Sequence, residues 1–144
     1  MADSLSDLQT LIKNRIQAHA DLTTLPVLTE RDADLSRTLN SNLKTYGIGA
    51  LVEDLGITPT GGDNEFEVEV MVSVKEQRTI NDGTGSTLGI SCAEVALQIL
   101  LQLYDWEAST MWGRMRELQM ESIQIEPEAI REISGKFRFV VNNN

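Results

Sequence analysis

The 144-residue chain has one cysteine, Cys92, and one histidine, His19. A single cysteine excludes an intramolecular disulfide. With one histidine beside it, there is little material for a zinc site, which takes several Cys or His ligands. Lys and Arg number only 12 against 22 Asp and Glu, a formal charge of -10. That balance disfavours a free-standing nucleic-acid binder, which displaces counter-ions from phosphates with basic patches. It also disfavours a peripheral membrane protein, because leaflets are negative. No apolar run reaches the roughly 18–20 residues of a membrane span. Met1 to Asp7 is polar and acidic, unlike a secretory leader. These features predict folding in a reducing cytosol.

What remains is globular in composition, with 41% hydrophobic and 24% charged residues. The length suits one domain, 1–144, with an ordinary core. Ser4 or Ser6 can cap a first helix, on which Leu5, Leu8, Leu11, Ile12 and Ile16 form an apolar stripe. Asp7, Gln9, Lys13, Asn14 and Gln17 take its polar face, and the helix ends near His19–Asp21. Leu25-Pro26-Val27-Leu28 predicts a short strand at a sheet edge, since Pro26 has no N–H for a ladder. Residues 31–46 read as irregular or weakly helical: Leu35, Leu39 and Leu43 share one helical face, but Ser36, Thr38, Asn40, Ser41 and Asn42 compete with helix. Tyr46 to Val52 predicts a second strand whose glycines mark close approach or a bulge, and Thr58 to Asn64 predicts a turn.

The clearest pattern is Phe66, Val68, Val70, Val72 and Val74 alternating with Glu65, Glu67, Glu69, Met71 and Ser73. Period two over ten residues predicts a strand with one core face and one solvent face. Residues 76–90 have no hydrophobic period and predict a long loop. Ser91-Cys92-Ala93-Glu94 has capping-box spacing and opens a helix to about Tyr104. Its only polar stripe is Glu94, Gln98 and Gln102, so it must bury more than one side, against the sheet and then the first helix or a neighbouring subunit. Residues 108–117 are ambiguous. Gln119–Glu126 predicts a strand, Ser134-Gly135 a turn, and Phe137, Phe139 and Val141 a last strand. The fold class is α+β: a mostly antiparallel mixed sheet of about four to five strands with two main helices packed on it.

Chemistry-bearing residues are few. Gly83-Thr84-Gly85-Ser86-Thr87-Leu88-Gly89 lies between strand and helix, where backbone N–H groups can bind phosphate. Its spacing matches neither the dinucleotide fingerprint nor a P-loop, and a connecting loop is the plainer reading. Cys92 in a first helical turn can have a lowered thiol pKa, but a nucleophile needs a base, and His19 is on another helix; a packing role is favoured. Glu65, Glu67 and Glu69 project to one side of one strand, as a solvated face, a hard-cation site or an acidic surface inside an oligomer. Trp106 and Trp112 suit a core edge or an interface. No catalytic residue, cofactor site or metal site is assigned; the inventory favours an assembly protein over an enzyme.

At residues 65–106 the strand Glu65 to Val74, the polar loop and the helix Cys92 to Tyr104 ending in Leu103-Tyr104-Asp105-Trp106 form a familiar pattern. It resembles the tail terminator (tail completion, or minor tail) proteins of long-tailed bacteriophages. Their order is similar: an N-terminal helix, a short strand near a Pro-Val step, a long alternating strand, a helix ending near Leu-x-x-Trp, and closing strands like Leu118–Ile125 and Phe137–Val141. Residues 31–46 and 107–117 have no counterpart in that pattern. The resemblance implies a virion protein of the tail or neck, assembled in the host cytoplasm. It implies a homohexameric ring that caps the tail tube, stops its polymerisation and meets the head–tail connector protein. Six copies at -10 each give a ring charge of about -60, and a negative bore would let DNA slide without specific binding.

On that expectation Glu65, Glu67 and Glu69 are candidates for the lumen. Asn81, Asp82, Gly83, Thr84, Gly85 and Ser86 are candidates for a loop reaching a neighbouring subunit or the tail tube protein, ordering on contact. Val95, Leu97, Ile99 and Leu101 are candidates for the packing and interface helix. Rival expectations are a head–tail connector or neck protein of the same virion, and a small ligand-binding domain that uses the glycine loop.

Overall fold

A computed structural model of the chain describes residues 5–59, 65–85, 87–104, 106–107, 112–125 and 130–142. In chain order the elements are α1 (Leu5–Gln17), β1 (Val27–Thr29), α2 (Leu35–Thr45), β2 (Ile48–Pro59), β3 (Glu65–Gln77), α3 (Cys92–Leu103), β4 (Trp112–Ile125) and β5 (Ile130–Asn142). A 3-10 turn at Ala20–Leu22 follows α1. The strands form one sheet in the order β1-β2-β3-β5-β4. Only β1 and β2 run parallel; the other pairs are antiparallel. The architecture is α+β, as the residue pattern predicts.

The alternation of β3 sets the two faces of the sheet. Val68, Val70, Val72 and Val74 are buried, facing α1 and α3. Their neighbours in register continue that face: Ala50 and Val52 on β2, Ile133, Phe137 and Phe139 on β5. On α1, Leu8, Ile12 and Ile16 close the core from above, as their spacing predicts. On α3, Val95, Ile99 and Leu103 do the same. Pro26 precedes β1 at the sheet edge, where its carbonyl accepts from the Ala50 N–H at 2.9 Å.

Several local expectations are corrected. Residues 35–45 form a regular helix despite their helix-competing side chains. Leu43 is buried, and the Leu39 side chain reaches within 3.6 Å of where a Gly49 methyl would sit, on the sheet face opposite α1 and α3. Packing of the Leu35/Leu39/Leu43 face outweighs weak propensity. Tyr46 and Gly47 end α2 rather than open a strand: their N–H groups return to Asn42 and Leu43, and Gly47 takes φ +77°. Strand β2 then runs on through Thr58 and Pro59, with a bulge between Asp54 and Gly56 that breaks the alternation. The remaining predicted turn residues, 60–64, lie outside the described residues. β3 continues through Glu76 and Gln77, and β4 starts at Trp112.

Ser134-Gly135 is not a turn. Ser134 and Gly135 sit inside β5, opposite Ser73 and Val72. Gly135 lines a small gap with Ala96, Ile99 and Leu100, so its missing side chain lies under α3. Gln9 is also misplaced by the helical pattern. It is buried, donates to Asp54 at 2.7 Å and accepts from the Glu30 N–H at 3.2 Å, tying α1 to the end of β1 and to the bulge of β2.

Gly47, just past α2, lies directly against the backbone of Asn81. A methyl there would meet the Asn81 nitrogen at 2.5 Å, in a conformation L-residues rarely adopt. Gly47→Ala is expected to cost at least ~1–3 kcal/mol from backbone strain alone. Urea denaturation measures it, and an unchanged midpoint would contradict this packing.

Candidate functional site

The N-terminus of α3 is where the sequence offered a phosphate site or a reactive thiol beside the plainer readings of a connecting loop and a packing cysteine. Ser91 caps the helix, its hydroxyl accepting from the Glu94 N–H at 3.2 Å. The Cys92 N–H is taken by Glu76, whose Oε1 accepts it at 3.0 Å. Glu76 is buried on the valine face of β3, so the chain's own carboxyl fills the place an anion would occupy. Its Oε2 accepts from the amide of buried Asn81 at 2.7 Å. That amide also donates to the Ile90 carbonyl, while its oxygen accepts from the Gly89 N–H at 2.6 Å. One carboxamide thus joins β3, the loop and the entry to α3. The Cys92 thiol lies fully buried within 3.3 Å of the Val74 carbonyl. Burial, then the neighbouring Glu76, pushes it up to about 12, not down. Such a thiol is inert at neutral pH.

The loop between β3 and α3 spans residues 78–91, and hydrogen bonds within it tie its described part together. Asp82 Oδ1 accepts from both the N–H and the hydroxyl of Thr84, which holds its carboxyl below the usual range. Thr87 Oγ1 accepts from the Gly83 N–H at 3.0 Å and donates to the Thr84 carbonyl at 2.7 Å. Gly83 and Gly89 cross so closely that a methyl on Gly89 would meet the Gly83 Cα at 2.8 Å. Of the predicted contact residues, Asn81 is an internal anchor and Asp82, Gly83, Thr84 and Gly85 form an exposed tip. Ser86 lies outside the described residues.

The candidate interface helix divides in two. Val95 and Ile99 face the core. Leu97 is 45% exposed, Leu101 62% and Tyr104 66%, so within one chain the second apolar side, expected to lie against the first helix or a neighbouring subunit, is not covered. Arg15 of α1 donates to the Gln102 carbonyl at 3.1 Å, and its guanidinium lies 5.6 Å from the Trp106 ring centroid. The exposed stripe is on the side of α3 turned away from that contact. Trp106 packs edge-on to Phe139, a core-edge role as expected, while the Trp112 side chain is outside the described residues.

On the opposite sheet face, Glu67 and Glu69 straddle Arg138 of β5. Its Nε donates to Glu69 at 3.3 Å and its Nη1 lies 3.9 Å from Glu67. Register alone brings them together, since Arg138 is opposite Glu69. The Glu65 side chain is outside the described residues. Among the described residues no group of His, Cys, Asp and Glu is placed to hold a metal ion. No described helix is long and apolar enough to cross a membrane.

A further surface was missed from sequence. Residues 55–59 of β2 are all exposed and pair with the start of β3, a β2–β3 ribbon continued on its other side by the end of β5. Leu55, Ile57 (58% exposed) and Phe66 are its exposed apolar side chains. The bulge hid this strand in the sequence. The Glu76 anchor did leave a signal: a carboxyl in the phase of the buried valines.

No family model matches the chain, and no curated protein matches it. A chain in the solved virion of a native gene transfer agent particle shares its fold, with a TM-score of 0.56 and 16% identity over 94% of this chain and 95% of that one. A protein of Akkermansia muciniphila, solved without its transmembrane region, aligns over 100% of this chain and 88% of its own at 8% identity. Its TM-score of 0.34 is too low to carry an argument.

Two outcomes follow from these environments. Ile99→Glu should unfold the chain by burying an unpaired charge, ~3–5 kcal/mol, whereas Leu101→Glu should stay within about 0.5 kcal/mol of wild type. Thermal melts check the contrast, and equal losses would refute the assigned faces. Asp54 is raised above 3.8 by burial and then Glu30, against the Gln9 hydrogen bond, and its Oδ1 has no partner among the described residues. A raised folded pKa means the native state holds this proton more tightly. Its contribution therefore falls as pH rises from 3.8 through the folded value. Asp54→Asn, which keeps an oxygen for Gln9, should flatten that part of the urea-midpoint profile and not destabilise at pH 7. A steeper profile would reject the assignment.

Proposed function

We propose that the chain is a structural protein of a phage-like virion, and within it a tail terminator. Six copies form a ring that caps the tail tube, stops its polymerisation and joins the tail to the head connector. The observation that carries this is a fold shared from end to end, over 94% of this chain and 95% of its counterpart, with a chain of a gene transfer agent virion. The surfaces support an assembly role. The helix N-terminus is filled by Glu76, the thiol is buried, and apolar side chains stand exposed on α3 and the β2–β3 ribbon.

In this reading α3 is the interface helix, through Leu97 and Leu101, with Val95 and Ile99 anchoring it to its own core. The loop tip Asp82–Gly85 contacts a neighbour or the tube as a preformed turn. The face with Glu65, Glu67 and Glu69 lines the bore, where Arg138 moderates its charge without attracting phosphate. DNA passes without specific binding, and the role requires no cofactor.

A neck or head–tail connector protein of the same particle would share the fold similarity to a virion chain. Binding partner separates the two: tail tube protein for a terminator, portal or adaptor for a connector. The test is native mass of the purified chain, alone and with its tube protein. A ring-sized species, or one formed on tube ends that halts their growth, is the expected result. A 16.0 kDa chain indifferent to tube protein would overturn the terminator role. In complete particles, Glu→Gln at 65, 67 and 69 should slow DNA delivery; unchanged infectivity would take these residues off the bore.

A further inference from the structure

Asp54 is a carboxyl on the apolar side of its strand. It stands in the phase of Ala50 and Val52, opposite buried Val70, on the sheet face that the helices cover. Gln9 of α1 meets it there, and Gln9, Asp54 and Glu30 close a ring. Gln9 donates to Asp54 Oδ2 at 2.7 Å, the Asp54 N–H donates to Glu30 Oε1 at 2.6 Å, and the Glu30 N–H donates to Gln9 Oε1 at 3.2 Å. We infer that this ring is a proton-operated clasp. With a proton on Asp54 it holds α1 to the end of β1 and the bulge of β2, and it loosens when that proton leaves.

Donors and acceptors match only with the proton in place. As a carboxylate, Asp54 has one oxygen met by Gln9 and another, Oδ1, that is buried and accepts from nothing among the described residues. A buried carboxylate oxygen without a donor is costly. As a carboxyl, Asp54 keeps Oδ2 for Gln9, and Oδ1 becomes a hydroxyl that needs an acceptor. Glu30, already tied to Asp54 through Oε1, has acceptor capacity left to take it. A carboxyl–carboxylate hydrogen bond then replaces two like charges drawn together by one ring.

The surrounding charges come from three elements. Past β1 stand Glu30 and Arg31, of opposite sign. On α1 the ring partner Gln9 is neutral, and the charged residues within a turn of it are Asp7 and Lys13. β3 presents Val70 opposite Asp54, while Glu69 and its partner Arg138 lie on the other sheet face. Glu53, next in the chain, also points to that other face, where Glu132 and Lys75 act on it. Burial and then Glu30 raise the Asp54 carboxyl above 3.8, against the Gln9 bond. The folded chain therefore holds this proton more tightly than the unfolded chain does, so the clasp is closed at low pH and opens as pH rises through the folded value. Further along α1, Arg15 and Gln17 donate to the carbonyls of Gln102 and Leu25, which do not titrate. Opening is thus confined to the first half of the helix and the residues it meets.

The test is amide hydrogen exchange of the full chain, read by NMR from about pH 4 to about pH 7 and corrected for the intrinsic pH dependence of exchange. In wild type the Glu30 N–H, which donates to Gln9, should lose roughly threefold or more of its protection across that range. The Ala18 N–H at the far end of α1, which donates to Asn14, should keep its own. Asp54→Asn, with an oxygen for Gln9 and an N–H to stand in for the protonated oxygen, should hold the Glu30 protection level. Glu30→Gln keeps an acceptor for the Asp54 N–H but removes the charge, and should lower the midpoint of the Asp54 carboxyl carbon titration. Constant Glu30 protection in wild type overturns the clasp, as does an equal loss at Ala18, which would report the whole chain loosening. The same loss in Asp54→Asn, or an unmoved Asp54 midpoint in Glu30→Gln, overturns it too. Circular dichroism checks that each variant folds, and the wild-type exchange profile decides the matter for a variant that does not.

Discussion

The register of β3 is the constraint on which the rest of the molecule depends. It lies between β2 and β5, and its valines occupy every second position of the covered face. A slip of one residue would carry Glu67 and Glu69 into the core. With that phase set, hydrogen bonding transmits it outward in both directions. Ala50 and Val52 must face the helices, and so must Phe137 and Phe139. The same phase places Glu76 beneath the start of α3, where a buried carboxyl meets a helix N-terminus instead of being left unpaired.

Glu76 and Asn81 occupy donors that a phosphate would need at the entry to α3. Glycines between a strand and a helix offer backbone donors, which in phosphate sites remain open. Here the donors are used internally. The Cys92 N–H goes to Glu76, the Gly89 N–H to Asn81, and the Gly83 N–H to Thr87. The glycines serve conformation and close approach, as at Gly47, Gly83 and Gly89. A turn closed by its own hydrogen bonds costs little further entropy when it meets a partner.

Among the described residues, the large exposed apolar side chains lie on one stripe of α3 and on the β2–β3 ribbon. The buried face of α3 secures the monomer, and the exposed face is held ready without contributing to it. The pairing of Arg138 with Glu67 and Glu69 is a surface interaction worth at most about 1 kcal/mol. Its consequence is a less negative sheet face, not a more stable fold.

Much of the fold was legible because it rests on periodicity. The alternation of residues 66–74, the stripe of α1 and the cap at Ser91 each encode an element locally. The Leu35/Leu39/Leu43 face is visible too, but propensity outweighs it at the level of sequence, and the regular helix of 35–45 is missed. The errors came where local rules and tertiary packing diverge. Ser134-Gly135 resembles a turn, but β5 runs straight through it beneath α3. The bulge at Asp54/Gly56 disguised the far half of β2. Leu97 and Leu101 could not be separated from Val95 and Ile99 by hydropathy, since all are equally apolar. The sequence by itself determined α1, β3 and α3 and the side of each strand or helix that is apolar, because 3.6- and 2-residue periods are local properties. Only the tertiary structure decided which apolar sides find cover and which donors are left open, because burial and hydrogen bonding depend on residues brought together from distant parts of the chain.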